Sequence, residues 1–190
     1  MIESLLDLDR KITIFFNSFH SDFWDKIIYN LTDIEFWLPL FIVIAYLIYR
    51  KTKDFKQTIF WLFILGGVIF FTDMISARVL KPYFKRLRPC NDPIVSGSIH
   101  IVRDYCSRAY SFVSSHATNS FGLFSIACFF RKKLPSSVPT VLFFWSLFFS
   151  YTRIYLGVHF VGDVLGGFVL GFITAFLYYK LVGKIFLREG

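Results

Sequence analysis

Five uncharged, apolar stretches in this 190-residue chain limit what it can fold into. They are Phe36–Tyr49, Gln57–Thr72, Ala109–Phe130, Leu134–Thr152 and Val164–Tyr179. A helix needs about 20 apolar residues to cross the hydrocarbon core of a bilayer. The shorter stretches reach this length when a flanking charged residue is included, because long basic side chains at helix ends extend to the interface. The sequence therefore predicts an all-α, polytopic membrane helix bundle with about five transmembrane helices.

The composition fits a membrane protein and excludes two other classes. Hydrophobic residues make up 55% of the chain and charged residues 18%, whereas an average soluble domain has about 25% charged residues. High apolar content without low-complexity runs excludes a disordered chain. Three cysteines are too few for a small disulfide scaffold. The length is that of one domain, so we expect a single domain over residues 1–190.

The first 35 residues differ from the rest of the chain. Aromatic residues recur at helical spacing from residue 12 to residue 31, but four polar residues interrupt them: His20, Asp22, Asp25 and Lys26. Each charge at the middle of a span would cost about 2.5–3.5 kcal/mol. We therefore expect an interfacial amphipathic helical segment over 1–35 and the transmembrane bundle over 36–190. The acidic N-terminus lacks the cationic region of a signal peptide, so we expect none.

The net charge of +8 is high for a lipid-embedded chain, and its distribution bears on orientation. Five spans place the loops at 50–56 and 131–133 on one side of the membrane and the 78–108 loop on the other. The 50–56 loop carries four basic residues in seven, a density typical of a cytoplasmic loop. We therefore expect a multi-pass protein of the cell (inner) membrane, with the 78–108 loop on the periplasmic or extracellular side.

Many cations lie on or near that outer side: Arg78, Lys81, Lys85, Arg86, Arg88, Arg103, Arg108 and Arg153. Lys85, Arg86 and Arg103 fit solvated loops or headgroup contacts. Lys81, Arg88 and Arg153 fit that interpretation less well, because Lys81 and Arg153 each close an apolar stretch and Arg88, followed by Pro89, comes seven residues after Lys81. Ionisable groups at membrane depth are usually functional. Asp73, about two helical turns before Lys81, is a candidate intramembrane partner for Lys81 or Arg78.

Two histidines fall in apolar contexts on the same predicted face. His116 lies near the start of the third stretch, and His159 lies just before the fifth. His159 and Asp163 are four residues apart and share a helix face, so the carboxylate can orient the imidazole as a nucleophile. His116 can then protonate the leaving oxygen as a general acid. A membrane histidine is as often an interhelical hydrogen-bond donor, and this alternative stays open for each ring taken alone.

Groups that bind phosphate oxygens surround these residues in the predicted arrangement. Guanidinium groups on Arg88 and Arg153 can bind the oxygens in bidentate fashion, and the Lys81 ammonium adds a point charge. Ser114 and Ser115 lie where the third helix should begin, and a helix N-terminus offers backbone N–H donors. With cations for electrostatic stabilisation, this chemistry requires neither a metal nor a cofactor.

Three segments resemble the type 2 phosphatidic acid phosphatase (PAP2) family. Residues 81–89, KPYFKRLRP, match its KxxxxxxRP pattern completely. Residues 113–116, VSSH, retain the Ser and His of its PSGH pattern. Residues 152–163, TRIYLGVHFVGD, match its SRxxxxxHxxxD pattern with Thr in place of Ser. The order and spacing of the three segments agree with the family.

The resemblance implies a metal-independent phosphatase that passes through a phosphohistidine on His159, with His116 as the acid. It also implies phosphate binding by Lys81, Arg88, Arg153 and the Ser114–Ser115 segment, on the outer-leaflet side. Substrates within the family include phosphatidic acid, phosphatidylglycerol phosphate, undecaprenyl diphosphate and lipid A phosphates. The expected partners are therefore a phosphorylated lipid and the bilayer, without nucleic acid. The alternative is a non-catalytic protein that binds or transports anionic lipids with the same cations.

Two further features leave alternatives open. Cys90 and Cys106 bracket the outer loop and form either a disulfide or two free thiols. Small residues recur on the fifth stretch at Gly162, Gly166, Gly167 and Gly171. Such spacing favours close helix packing within the chain, and a homodimer through these glycines is the alternative.

Overall fold

The computed structural model describes residues 2–104, 106–107 and 109–186, so Arg108 lies outside the described residues. Their α-helices are α1 Ile2–Asn17, α2 Asp22–Leu31, α3 Leu38–Thr52, α4 Phe55–Asp73, α5 Lys81–Phe84, α6 Ser115–Phe129, α7 Ser137–Tyr155 and α8 Val161–Phe186. A seven-residue π-helix, Met74–Leu80, joins α4 to α5. No β-strand occurs in the described part of the chain, and the predicted all-α class is confirmed.

Local chemistry sets the ends of the helices that carry the site. Asp54 begins α4, where its side chain accepts the Lys56 N–H at 2.7 Å. Ser114 begins α6, and its hydroxyl accepts the Ala117 N–H at 3.5 Å. Lys53 ends α3 in a left-handed conformation, with φ of 51°. These capped ends fix the points where the chain enters and leaves the bundle.

The bundle is built around α6, which packs against α4, α7 and α8. Its core is formed by fully buried aliphatic side chains, including Ile48, Ile64, Val68, Ile126 and Leu142. Large apolar side chains stay exposed on the outer faces of α4, α7 and α8, including Phe63, Phe70, Phe144, Val169 and Leu177. A bundle that is apolar both inside and outside is suited to a lipid environment.

Glycines allow α6 and α8 to approach closely. A β-carbon on Gly171 would lie 2.6 Å from the Thr118 carbonyl oxygen and 2.9 Å from the Gly122 nitrogen. One on Gly167 would lie 2.9 Å from the Ala117 β-carbon. The predicted use of these glycines in close helix packing is confirmed. These glycines pack against other parts of the same chain, and a homodimer stays a prediction.

Among the described residues, two helical segments are long and apolar enough to cross a membrane, Phe55–Asn91 and Val161–Lys184. Asp22–Leu31 and Ile34–Thr52, bent by 80° at their junction, would supply a third if they form one span. The α6 helix has 15 residues and a length of about 22 Å, which is short for the roughly 30 Å hydrocarbon core. The chain is a helical membrane protein, and the number of five spans stays a prediction.

The N-terminal segment is helical, as predicted, but it consists of two helices. Residues 18–21 separate α1 from α2, and both helices pack against the bundle, α1 on α7 and α8 and α2 on α7. The aromatic side chains Phe15, Phe19 and Phe23 remain more than half exposed. They give the segment an outer apolar face that suits a membrane interface.

Candidate active site

His159 and Asp163 lie at the junction of α7 and α8. Gly157 has φ of 69° in the turn between these helices, and a β-carbon there would lie 2.5 Å from Ile99. The ring of His159 is 1% exposed, and its Nδ1 lies 3.3 Å from Asp163 Oδ2. Because Nδ1 faces the carboxylate, Nε2 is the nitrogen left for a substrate.

Asp163 is fully buried, and both of its carboxylate oxygens have partners. Oδ2 accepts the Phe160 N–H at 2.8 Å and the Ser111 hydroxyl, in addition to facing His159. Oδ1 accepts a hydrogen bond from Arg86 Nη1 at 2.8 Å. The donors offset the cost of burying the charge, and they fix the carboxylate that orients the imidazole.

The position of Arg86 differs most from the one that the sequence predicts. Its Nη1 binds Asp163, its Nη2 binds Asp9 Oδ2 at 2.6 Å, and its guanidinium lies 4.0 Å from the centre of the Phe160 ring. The assignment of Arg86 to a solvated loop is therefore wrong. Each carboxylate partner is 77 residues away in the sequence, so no local pattern could have found this contact.

The three predicted phosphate-binding cations converge on the histidines. Lys81, Arg88 and Arg153 all lie close enough to His159 and His116 to act on them electrostatically. Arg88 Nε donates to the Ala109 carbonyl at 2.8 Å, which fixes the side chain at the end of the outer loop. Lys81 Nζ makes no hydrogen bond to any residue that the structure describes, so its ammonium is available to a ligand.

Thr32, in the N-terminal segment, also reaches the site. Its hydroxyl accepts a hydrogen bond from Arg153 Nη1, and both side chains are buried. The two residues are 121 positions apart in the sequence. Neither Thr32 nor Ser111 could be identified in advance, since hydroxyl residues are common in every part of the chain and carry no spacing signal.

Ser114 and Ser115, the two serines predicted to bind phosphate, have different roles at the start of α6. Ser114 is buried; its hydroxyl caps α6, and its N–H donates to the Asp163 carbonyl at 3.1 Å. Ser115 and His116 occupy the first turn, and their N–H groups have no acceptor among the described residues. Ser76 donates to the Ser115 hydroxyl at 3.0 Å. The free donors of this turn lie beside His116, as an anion site requires.

A cavity of about 640 Å³ opens beside Ser115 and His116. Apolar side chains line much of it: Ile34, Phe41, Ile69, Trp145 and Phe149. Asp33, Asp73 and Asn119 contribute polar groups. A concave site with apolar walls and a few polar groups can receive the headgroup and adjoining apolar part of a lipid.

Asp73 does not form the expected ion pair. Its Oδ1 accepts a hydrogen bond from Asn119 Nδ2 at 3.3 Å. Across the described residues no salt bridge joins it to Lys81 or Arg78, so the expectation of a direct pair is wrong. Asp73 acts on Lys81 only through space.

A disulfide joins Cys90 to Cys106, which decides between the two alternatives for these cysteines. It closes the outer loop directly after Arg88 and Pro89. In the described part of the chain no three His, Cys, Asp or Glu side chains are grouped as a metal site would need. The site is thus a cluster of cations and imidazoles around a buried carboxylate.

Comparison with known proteins gives three consistent results. The profile of the PAP2 superfamily matches residues 60–187. The lipid A 4'-phosphatase of Bacteroides thetaiotaomicron is 35% identical over 190 residues, covering 99% of this chain and 83% of that protein. Phosphatidylglycerophosphatase B of Bacillus subtilis is 33% identical over 155 residues, covering 75% and 66%.

A solved structure gives the third result in three dimensions. The crystal structure of a transmembrane PAP2-type phosphatidylglycerolphosphate phosphatase from Bacillus subtilis superposes with a TM-score of 0.65. It is 26% identical and covers 98% of this chain and 90% of its own. Fold and site together define a membrane phosphatase of the lipid-phosphatase class. The chain belongs to the PAP2 superfamily, as the three sequence segments predict.

Proposed function

We propose that this enzyme hydrolyses a lipid phosphomonoester through a phosphohistidine on His159. The observation that carries the proposal is the buried pair between His159 Nδ1 and Asp163, with Lys81, Arg88 and Arg153 around it. An imidazole oriented in this way can act as a nucleophile at Nε2, and the three cations can neutralise a phosphate.

In the first step His159 Nε2 attacks phosphorus, and the bond from phosphorus to the lipid oxygen breaks. His116 donates a proton to that oxygen, so the lipid leaves as an alcohol. The Nδ1–H of His159 stays directed at Asp163, which stabilises the positive charge on the ring. In the second step water attacks phosphorus and gives a proton to His116. The phosphorus–nitrogen bond then breaks, which releases inorganic phosphate and restores both rings.

Phosphate binding divides among three kinds of group. Arg88 and Arg153 are held by backbone or hydroxyl partners, and Lys81 supplies an ammonium without a competing hydrogen bond among the described residues. The N–H groups at the start of α6 and the Ser115 hydroxyl contribute neutral donors. Ser114 contributes indirectly, because it caps α6 and thereby fixes that turn.

The substrate that we infer is a phosphorylated glycolipid of the lipid A class. The relative that supports it is a lipid A 4'-phosphatase, to which nearly the whole chain is similar. The cavity beside His116 agrees with this choice. Asp33, Asp73 and Asn119 offer carboxylate and amide groups to sugar hydroxyls, while Phe41 and Ile69 face an acyl chain.

We place the enzyme in the inner membrane, with its site on the periplasmic side. The Cys90–Cys106 disulfide lies beside the site, and disulfides persist in oxidising compartments. The opposite end of the bundle is basic. Lys51 Nζ donates to the carbonyls of Lys132 and Leu134, which joins the two basic loops into one cationic surface typical of the cytoplasmic side.

The test is phosphate release by purified protein in detergent micelles containing EDTA. Lipid A, phosphatidylglycerol phosphate, phosphatidic acid and undecaprenyl diphosphate are supplied separately, and lipid A should be hydrolysed fastest. His159→Asn and His116→Asn should each lower release by at least about 10³-fold. His20 provides a matched control, because it is exposed and its ring stacks on His100, so His20→Asn should leave the rate unchanged.

Trapping separates the covalent mechanism from direct attack by water. With ³²P-labelled substrate and a rapid alkaline quench, the parent should carry an alkali-stable label that His159→Asn lacks. Activity that disappears in EDTA would contradict the metal-free mechanism. A protein that binds lipid A but releases no phosphate, with binding unaffected by the histidine substitutions, would favour the anionic-lipid binder.

A further inference from the structure

We propose that Arg86 is a positioning residue for the nucleophile and that α1 completes the active site by holding it. The inference rests on the proposed function and extends it to the N-terminal segment. Arg86 uses the two arms of its guanidinium separately, Nη1 on Asp163 at 2.8 Å and Nη2 on Asp9 at 2.6 Å. One cation therefore links the carboxylate that faces His159 to a carboxylate on α1.

The same Asp9 also binds the backbone of the catalytic helix. Its Oδ1 accepts the Gly162 N–H at 2.7 Å, and the Thr13 hydroxyl accepts the Val161 N–H at 3.0 Å. These N–H groups belong to the first turn of α8, which has no intrahelical acceptors. A β-carbon at Gly162 would lie 2.7 Å from Asp9 Oδ2. Thus α1 caps α8 from outside, and the cap and the Arg86 bridge share one carboxylate.

The contacts assign Arg86 to positioning and not to phosphate binding. It binds Oδ1 of Asp163, whereas His159 faces Oδ2. Both of its arms are taken by carboxylates, and its guanidinium carbon lies 4.0 Å from the centre of the Phe160 ring. Through its hydrogen bonds it therefore acts on the reaction by way of Asp163 and the orientation of His159.

Kinetics of Arg86→Gln test this role. We expect kcat to fall on the order of 10- to 100-fold, the range found when the outer partner of a metal-ligating histidine is removed. KM should change by less than about threefold, because Lys81, Arg88 and Arg153 are untouched. Arg86→Lys should recover part of kcat, because an ammonium keeps the positive charge but lacks the two guanidinium nitrogens that bind the two carboxylates. Lys85→Gln is the matched control, as Lys85 is exposed and loses the same charge from the neighbouring position.

A double-mutant cycle with Asp163→Asn distinguishes positioning from a general structural contribution. If Arg86 acts through Asp163, Arg86→Gln should cost little more once the carboxylate is absent. Losses that multiply in the double variant would overturn the proposal. A kcat for Arg86→Gln equal to that of Lys85→Gln would overturn it as well.

Two further comparisons distinguish a failure of this inference from a folding defect and from a failure of the proposed function. Where Arg86→Gln yields no folded protein, Arg86→Lys and Asp9→Asn carry the test, and kcat values equal to the parent's would refute the role of Arg86. A parent that releases phosphate from none of the four lipids would overturn the proposed function, and this inference with it. An active parent with unaffected Arg86 variants would overturn the inference alone.

Discussion

Asn17 joins the last residue of α1 to the end of α7 and to the outer loop, so its removal should destabilise the framework of the site. The side chain is 1% exposed. Its Nδ2 donates to the carbonyls of His100, Ile154 and Tyr155 at 3.1, 3.1 and 2.8 Å, and its Oδ1 accepts the His100 N–H at 2.7 Å. Carbonyls at a helix C-terminus lack intrahelical donors, so Asn17 serves as a distant cap for α7.

The expected cost of Asn17→Ala follows from counting the groups that lose their partner. Ile154 keeps a hydrogen bond from the Gly157 N–H at 3.0 Å. The Tyr155 carbonyl, the His100 carbonyl and the His100 N–H have no other partner among the described residues. At about 1 kcal/mol for each group, the free energy of unfolding should fall by about 3 kcal/mol. For a chain of this length that corresponds to a decrease in Tm of about 6–12 °C.

Thermal unfolding in detergent, followed by loss of the folded-protein peak on size-exclusion chromatography, measures this decrease. Asn30→Ala is the matched control, because Asn30 is exposed on α2 and its side chain makes no hydrogen bond to a described residue. Asn17→Asp should be at least as harmful as alanine, since it places a carboxylate against three carbonyls. A Tm for Asn17→Ala within 1–2 °C of the Asn30→Ala value would refute this assignment.

Two further perturbations test other parts of the framework. Gly171→Leu should separate α6 from α8 and lower Tm and activity together, whereas Gly183→Leu, at an open position on the same helix, should be tolerated; equal stability of both variants would contradict the packing. Cys90→Ala with Cys106→Ala opens a loop of 16 residues and should cost about 3 kcal/mol. Cys128→Ala, which removes the free thiol, is the control, and an unchanged Tm in the double variant would show that the disulfide does not constrain the outer loop.

The part of the site that the sequence predicts is the part that lies within single helices or short turns. His159 lies in the turn just before α8 and Asp163 in the first turn of that helix, so the expectation of a shared helix face is wrong, but the four-residue spacing still brings the two side chains within 3.3 Å. The start of α6 at Ser114 follows from capping chemistry in the same way. Contacts of this kind can be predicted from the sequence spacing, because only a few residues separate the two partners.

The remaining contacts depend on how distant segments dock. Arg86 and Thr32 each bind a site residue more than 70 positions away, and no periodicity relates the partners. The five predicted spans differ from the two or three apolar segments of the described residues for a related reason. The polar residues of the site occupy α6, among them His116 and Asn119, and they lower the apolar content on which any estimate of a span depends.

The N-terminal segment shows what polarity alone does not reveal about a helix. Charges and polar residues exclude it as a span and favour an interfacial helix whose polar face meets water. In the structure large aromatic residues such as Phe15, Phe19 and Phe23 face outward, and some of the polar residues turn into the protein, whereas His20, Asp22 and Lys26 stay exposed. Five of the polar residues bind the framework of the site: Asp9, Thr13, Asn17, Asp25 and Thr32. Amphipathic periodicity is the same whether the polar face meets water or protein, so only the partners of that face reveal that the segment contacts the framework of the site.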